Sequence, residues 1–234
     1  MWKIQVLGSM AFMKELSSHQ FFSLEEFEHK ALFGDEAPVW DALHQLSSYL
    51  KKASLGKIEI TVPDTAYLIN REQISIAKGC VVEPGAYIQG PVILGPGTVV
   101  RHGAYIRGNV ITGKDCIIGH ATEVKNSIFL NRASAAHFNY VGDSILGNDV
   151  NLGAGVKLAN YRLDHAPVTL MYQGKKVATD LKKFGAVVGD QTQIGCNAVT
   201  SPGTLIGPRS FCYPCMNIKG VLPPRTIYRD KLNR

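Results

Sequence analysis

Ile88-Gln89-Gly90-Pro91-Val92-Ile93-Leu94-Gly95-Pro96-Gly97-Thr98-Val99-Val100 places an aliphatic residue at every sixth position, Ile88, Leu94 and Val100. Extending the count of six in both directions gives Ile76, Val82, Ile88, Leu94, Val100, Ile106, Thr112, Ile118, Val124, Leu130 and Ala136, and nine of these eleven are Ile, Leu or Val. The fourth residue after each is small or β-branched, as at Cys80, Ala86, Thr98 and Ala104, and the third is often a turn former, as at Gly79, Gly85, Gly97 and Asp115. The phase slips between Ala136 and Tyr140, resumes at Tyr140, Leu146, Leu152 and Leu158, and after a break returns at Val188, Ile194, Thr200, Ile206, Cys212 and Ile218.

A six-residue period has a simple physical solution. About four residues make a short strand at ~3.3 Å each, and two make a corner where Gly, Asn or Asp relieves the backbone. Three such units close a triangle, with the large aliphatic residue inside. The pattern predicts a mainly β protein, a left-handed parallel β-helix of about seven coils counted from 21 hexads. It covers residues 66–224, after a small helical region at 1–65 and before a tail at 225–234.

Outside the repeat, Ser23 with Glu26 reads as a capping box opening a helix over 23–33. Pro38, Val39, Leu43, Leu46 and Leu50 predict a second helix over 38–52. Both are expected to cover the first coil, whose open ladder would otherwise invite aggregation. Residues 161–187 break the period, and Val168 to Tyr172, Gln173-Gly174 and Lys175 to Ala178 predict a protruding hairpin with a basic arm.

Composition narrows the function classes. Apolar residues make up 45% and charged residues 19%, which excludes wholesale disorder. No run approaches the ~18 apolar residues of a membrane span, and Met1–Gly8 does not read as a secretory signal. The five cysteines, in no metal-ligand spacing, fit reduced thiols in the cytoplasm. The net charge of +6 divides unevenly: residues 1–63 hold 6 basic and 8 acidic residues, and the rest hold 19 and 11. The repeat region therefore favours anionic ligands. Its basic residues are interleaved singly, without a basic block or aromatic ladder, so nucleic acid is not the expected partner.

Polar residues concentrate over 123–161, in Glu123-Val124-Lys125-Asn126-Ser127, Ala136-His137-Phe138-Asn139-Tyr140-Val141-Gly142-Asp143, Asn148-Asp149-Val150-Asn151-Leu152-Gly153-Ala154-Gly155 and Ala159-Asn160-Tyr161. In order and spacing they resemble the acetyltransferase domain of the bifunctional bacterial enzyme that makes UDP-N-acetylglucosamine. They resemble equally the archaeal sugar-1-phosphate nucleotidylyltransferases with a C-terminal acetyltransferase β-helix. The resemblance spans about residues 70–224.

It implies an N-acyltransferase that uses acetyl-CoA, acts on an amino-sugar phosphate and assembles as a homotrimer with sites shared between prisms. His137 would be the general base, a role that imidazole suits near neutral pH, and Glu123 would orient it or the amine. Arg107 and Lys125 would hold the sugar phosphate. Tyr140 and Asn151 would hydrogen-bond the sugar, and Asn160 and Tyr161 would line the groove. The Ala154 amide would stabilise the thioester oxyanion. Cys196 aligns with the family's coenzyme-binding serine, and Arg225 and Arg229 could meet a coenzyme phosphate.

Two departures keep other readings open. The family's phosphate-binding lysine, six residues after the groove Asn, is Ala166 here, with Lys182 or Lys183 as substitutes from the inserted arm. Residues 1–65 carry no Gly-rich phosphate loop, so a nucleotidyltransferase half is not expected in them. The alternatives are a non-catalytic trimeric scaffold or regulator of a separate nucleotidyltransferase, and an O-acyltransferase for a lipid or sugar nucleotide. His102 and His120, 18 residues apart, should stack one coil apart. They lack the close second histidine of a metal site, and no metal is expected.

Overall fold

The computed structural model describes residues 14–230. The reading of Met1–Gly8 and the last four residues of the expected tail lie outside them. Successive short strands visit three parallel sheets in strict rotation, and each sheet collects eight strands. The result is a triangular prism, the expected parallel β-helix, with about eight coils rather than seven. One face gains a further rung where Ile58 bridges Ile76. The strand Ile227–Tyr228 pairs with Phe211–Cys212, so the helix runs on into the segment read as tail.

The hexad aliphatics fill the prism. Ile76, Ile88, Leu94, Val100, Ile106, Ile118 and Val124 are fully buried in one column of core. At roughly 25 cal/mol per Å² of apolar surface, the stacked core is the main stabilising term. Asn, Asp and Arg take positive φ at corners, as at Asn109, Asp115, Arg132 and Asp149.

The phase slip lies elsewhere than expected. Val92 pairs with Val110, 18 residues on, whereas Ile128 pairs with Ile145, 17 on. The Ser134–His137 corner keeps the same residue count as the Ile117–His120 corner beneath it. The missing residue is at another edge, where Gly108-Asn109 is replaced in the next coil by Asn126 alone and then by Asp143 alone. Counting by six misplaced the slip because Leu130 is also aliphatic. It faces outward, and Phe129 fills the interior instead.

The three faces differ in what points outward. The covered face consists of Ile74–Ile76, Val92–Leu94, Val110–Thr112, Ser127–Phe129, Ile145–Leu146, Ala186–Val188, Thr204–Ile206 and Val221–Leu222. Its outward residues Ile111, Ile128, Ile145, Val187 and Leu205 are buried beneath the N-terminal segment and the insertion. The open face carries Tyr105–Ile106, Glu123–Lys125, Tyr140–Gly142 and Lys157–Leu158 among its strands. The third face carries Ile117–His120, Ser134–His137, Asn151–Leu152 and Gln193–Ile194.

The N-terminal segment departs from expectation in two ways. Residues 23–33 form turns and a 3-10 turn at Lys30–Leu32 in place of an α-helix. The capping signal is overridden by tertiary bonds: the Ser23 N–H donates to Asp190 (2.8 Å), and Phe22, Phe27 and Phe33 pack together in the covering layer. The second helix forms as Asp41–Lys52, with Leu43, Leu46 and Leu50 buried. It starts later than read because Pro38 bridges Ser17 and the Val39 N–H donates to Leu16. Both elements lie along the covered face, not over the first coil. That end is closed by residues 57–68, with Ile58, Ile60, Val62 and Leu68 packed on the prism core.

The insertion contains the expected hairpin, Thr169–Tyr172 with Lys175–Ala178. It folds back rather than protruding. Val168, Leu170, Val177 and Phe184 are buried in the covering layer, Phe184 lies 6.1 Å from the Trp40 ring, and His44 Nε2 bonds the Thr179 carbonyl.

Candidate functional site

The edge between the third and open faces collects the residues with the most chemistry. Each coil turns this corner through one residue followed by one at positive φ. The first residues are His102, His120, His137, Ala154 and Cys196, and the second are Gly103, Ala121, Phe138, Gly155 and Asn197. The backbone ladder sets the column: Phe138 N–H donates to His120, Gly155 N–H to His137 and Asn197 N–H to Ala154. His137 thus sits one rung, about 4.8 Å, from Ala154. Gly155 suits its corner, because its φ is +75 and a Cβ would meet the Asn197 side-chain oxygen.

Below His137, the expected histidine stack is present. The His102 and His120 rings lie 5.7 Å apart and 11° from parallel, and Phe138 stands edge-on at 5.1 Å from His120. The two Nδ1 atoms meet backbone carbonyls, of Pro84 at 2.6 Å and His102 at 2.9 Å. Among the described residues, no group of three or more metal-binding side chains gathers.

Asn139 fixes the corner that carries the candidate base. It is buried, its Oδ1 accepts from the His137 N–H (3.1 Å), and its Nδ2 donates to the Gly153 carbonyl (2.8 Å). One amide therefore ties the His137 corner to the Gly153-Ala154-Gly155 turn. The His137 ring is exposed, and no described residue accepts a hydrogen bond from the Ala154 N–H. His137 is therefore open to a ligand, while Ala154 is partly buried.

The open face beside this edge holds the other polar residues. Arg107 and Lys125 occupy the same column one coil apart, as their spacing predicts. Arg107 pairs with Glu123 at 2.7 Å, with side chains 42% and 34% exposed. Lys125 pairs with Asp143 at 2.6 Å, with side chains 16% and 8% exposed. Asp143 also accepts from Asn126 (2.9 Å) and from Asn160. Tyr140 is half-buried next to Asn160, and burial pushes its phenol above the ordinary value. Gly142 opens the space between them, since a Cβ there would stand 2.7 Å from both the Tyr140 hydroxyl and the Asn160 amide.

The structure therefore brings His137, Ala154 and Cys196 to one edge, and Arg107, Glu123, Lys125, Tyr140 and Asn160 to the adjoining face. Tyr161 follows Asn160, shares a hydrogen bond with His165 (3.1 Å) and has the Lys183 ammonium 5.8 Å from its ring. Lys182 bonds the His165 carbonyl, so both inserted lysines stand beside the groove residues. Asn151 points from the third face, in register with Ser134 and Gln193, and is not joined to Tyr140 within one chain. Arg229 follows Tyr228 at the far end of the histidine edge. Arg225 does not reach it: the residue turns the opposite edge, where its N–H bonds Pro208.

Sequence reading missed Asn139 and left Asp143 without a role. Their partners are one rung away in space and 14 to 18 residues away in sequence. A stepping rule of 17, carried up the column from His120, would have exposed the alignment of His137 with Ala154.

Comparison with known proteins places the chain. Residues 88–228 match the family described as the GMPPB C-terminal domain. The bifunctional protein GlmU of Methanococcus maripaludis is 36% identical over 192 residues, covering 80% of this chain and 45% of that protein. The bifunctional sugar-1-phosphate nucleotidylyltransferase/acetyltransferase of Sulfurisphaera tokodaii is 36% identical over 88 residues, 38% of this chain and 22% of its own. The match thus spans less than half the length of these curated relatives. Among solved structures, the acetyltransferase domain of PglB from Neisseria gonorrhoeae in complex with acetyl coenzyme A aligns at a TM-score of 0.35 and 13% identity, over 76% of this chain and 56% of that one. No helix among the described residues is long and apolar enough to cross a membrane. With its family match running through the histidine edge and the open face, the chain belongs to the GMPPB C-terminal domain family.

Proposed function

We propose that the protein is an acyltransferase that moves an acyl group, acetyl in the first instance, from a CoA thioester to the amine of an amino-sugar phosphate. The observation that carries this reading is the pairing of His137 with the Ala154 amide on adjacent rungs, tied together by Asn139. A base and an oxyanion donor one rung apart are what amine attack on a thioester needs.

In this reading the neutral His137 imidazole accepts a proton from the sugar ammonium as the nitrogen forms its bond to the thioester carbonyl carbon. The oxygen of that carbon gains negative charge and accepts the Ala154 N–H. Collapse breaks the carbon–sulfur bond, the departing thiolate takes the proton from the imidazolium, and the nitrogen releases its second proton to solvent to leave the neutral amide. The open face beside His137 receives the sugar, with Tyr140 and Glu123 nearest the amine. The coenzyme runs along the edge past Cys196 toward Arg229. Assembly as a homotrimer would bring Asn151 from the third face of one copy against the open face of another. The archaeal relatives named as sugar-1-phosphate nucleotidylyltransferase/acetyltransferase and GlmU support this reaction class.

The test is CoA thiol release from acetyl-CoA with a panel of amino sugars, phosphorylated and not. Acceptor-dependent release that falls by about 10²–10⁴ in His137→Ala, with an unchanged melting temperature, supports the reading. Full turnover in His137→Ala removes the base, and no release with any acceptor moves the protein to the scaffold role.

A further inference from the structure

Arg107 and Lys125 are alike in column, charge and spacing, yet the fold treats them differently. The corner after Arg107 has two residues, Gly108 and Asn109, and its guanidinium turns to Glu123 on the surface. The corner after Lys125 has only Asn126, at φ +44, and the corner above it only Asp143, at φ +49. Asp and Asn tolerate this left-handed backbone better than other side-chain-bearing residues. The shortened corners draw Asp143 inward, where three donors converge on its carboxylate: Lys125 Nζ, Asn126 Nδ2 and Asn160 Nδ2.

The same residue holds both ends of the insertion. The chain leaves the prism at Asn160, whose amide Asp143 binds, and returns at Phe184-Gly185. The Phe184 N–H donates to the Asn160 carbonyl and the Gly185 N–H to the Asp143 carbonyl, each at 2.8 Å. Turning Lys125 outward to an anion would leave Asp143 buried with amide donors alone. An uncompensated buried charge is far more costly than an opened surface pair.

We propose that Asp143 is a positioning residue that makes Lys125 a strut rather than a ligand: the buried pair sets the Asn160 amide and the stem of the 161–185 insertion, and anion recognition falls to the cations that remain free to turn. The proposal rests on the reading of the open face as the acceptor side of the site. It reassigns one of the two cations that sequence spacing treats as equivalent.

The test uses the full chain with glucosamine 1-phosphate and glucosamine as probes, and reads binding by calorimetry, melting temperature, and hydrogen exchange over residues 160–185. Lys125→Met is expected to lower the melting temperature by several degrees, to raise exchange over 160–185, and to keep the affinity ratio of the two probes within about twofold. Arg107→Gln should lower that ratio about tenfold, as loss of one charge-assisted bond would, and leave the exchange unchanged. Lys125→Met with Asp143→Asn together should destabilise by less than the sum of the single changes.

A tenfold loss of the ratio in Lys125→Met at an unchanged melting temperature makes Lys125 a ligand and overturns the assignment. Additive melting shifts overturn it as well. If Asp143→Asn does not fold, the hydrogen exchange of Lys125→Met decides alone: protection at the wild-type level removes the strut. If wild type binds neither probe, the acceptor reading fails, while the coupling and the exchange still judge the strut.

Discussion

The covered and open faces of the prism are made from the same repeat and differ in what points outward. On the covered face the outward positions are Ile111, Ile128, Ile145, Val187 and Leu205, all fully buried. On the open face the corresponding surface holds Tyr105, Arg107, Glu123, Lys125 and Tyr140. The interior rows are alike, so the core stabilises both equally. The difference lies in the second layer. An aliphatic outward row must be removed from water, and the helix Asp41–Lys52, the Phe22–Phe27–Phe33 group and the inserted hairpin do this. A polar outward row does not, and that face is left free for ligands. One prism thus has a covered apolar face and an open polar one, set by the outward residues of each strand.

Thiol chemistry should show the widest gap between interior and edge. Burial pushes the Cys116 thiol up to about 12 and Cys212 up to about 11. At pH 8 their thiolate fractions are about 10⁻⁴ and 10⁻³. Cys196 and Cys215 are exposed on the histidine edge. Alkylation followed by mass mapping should label these two at least about a hundredfold faster than Cys116 and Cys212. Equal labelling of Cys116 would mean that the prism opens. Protection of Cys196 by acetyl-CoA would place the coenzyme along that edge.

Stability should separate the two faces next. Ile128→Ala, beneath the covering layer, should cost about 2–5 kcal/mol in denaturant unfolding. Glu123→Gln, on the open face, removes an exposed pair worth about 0–1 kcal/mol. Comparable losses at both sites would erase the distinction between the covered and the open face.

Acid should loosen the covered side selectively. His29 is buried against Phe27, with its Nδ1 2.9 Å from the Tyr49 hydroxyl, and burial pushes its pKa below the ordinary 6.5. The unfolded layer takes up the proton first, so the contribution of neutral His29 is full above about 6.5 and is lost as pH falls through the lowered value. The slope is at most about 1.4 kcal/mol per pH unit, and His29→Gln should flatten it. Asp190 acts in the opposite sense, because burial raises its carboxyl. The stability it contributes is present below the ordinary carboxyl range and is lost as pH rises through the raised value. Hydrogen exchange over residues 21–52 between pH 7 and 5 reads the net effect, and an unchanged profile in His29→Gln would discard the histidine term.

The smallest effect tests the exposed pair. Salt at about 0.5 M should screen Arg107–Glu123 and leave the buried Lys125–Asp143 pair nearly untouched. Double-mutant cycles at low and high salt would show whether the two pairs differ as their burial implies.

Much of the site was legible as positions and little of it as contacts. The Ala136–Asp143 and Asn148–Gly155 segments announced His137 and Ala154, and the spacing of 18 put Arg107 and Lys125 in one column. Their unequal roles were invisible, because one missing corner residue at Asn126 decides them and the aliphatic Leu130 disguises the shift. Asn139 stayed silent because its partner, the Gly153 carbonyl, is a backbone atom of the next coil. The 23–33 helix failed for a related reason. Its capping pattern is local, and the bond that won runs from Ser23 to Asp190.

Sequence alone determined the prism, since a six-residue period of aliphatic side chains has one economical way to bury itself. It also determined the hairpin and the helix centred on Leu46, whose periodicities are local. Only the tertiary structure decided which face is covered, where the coil loses a residue, and which of two equivalent cations is locked away. Each of these depends on groups that meet across rungs, where stacking at about 4.8 Å brings together residues that the chain keeps a full coil or more apart.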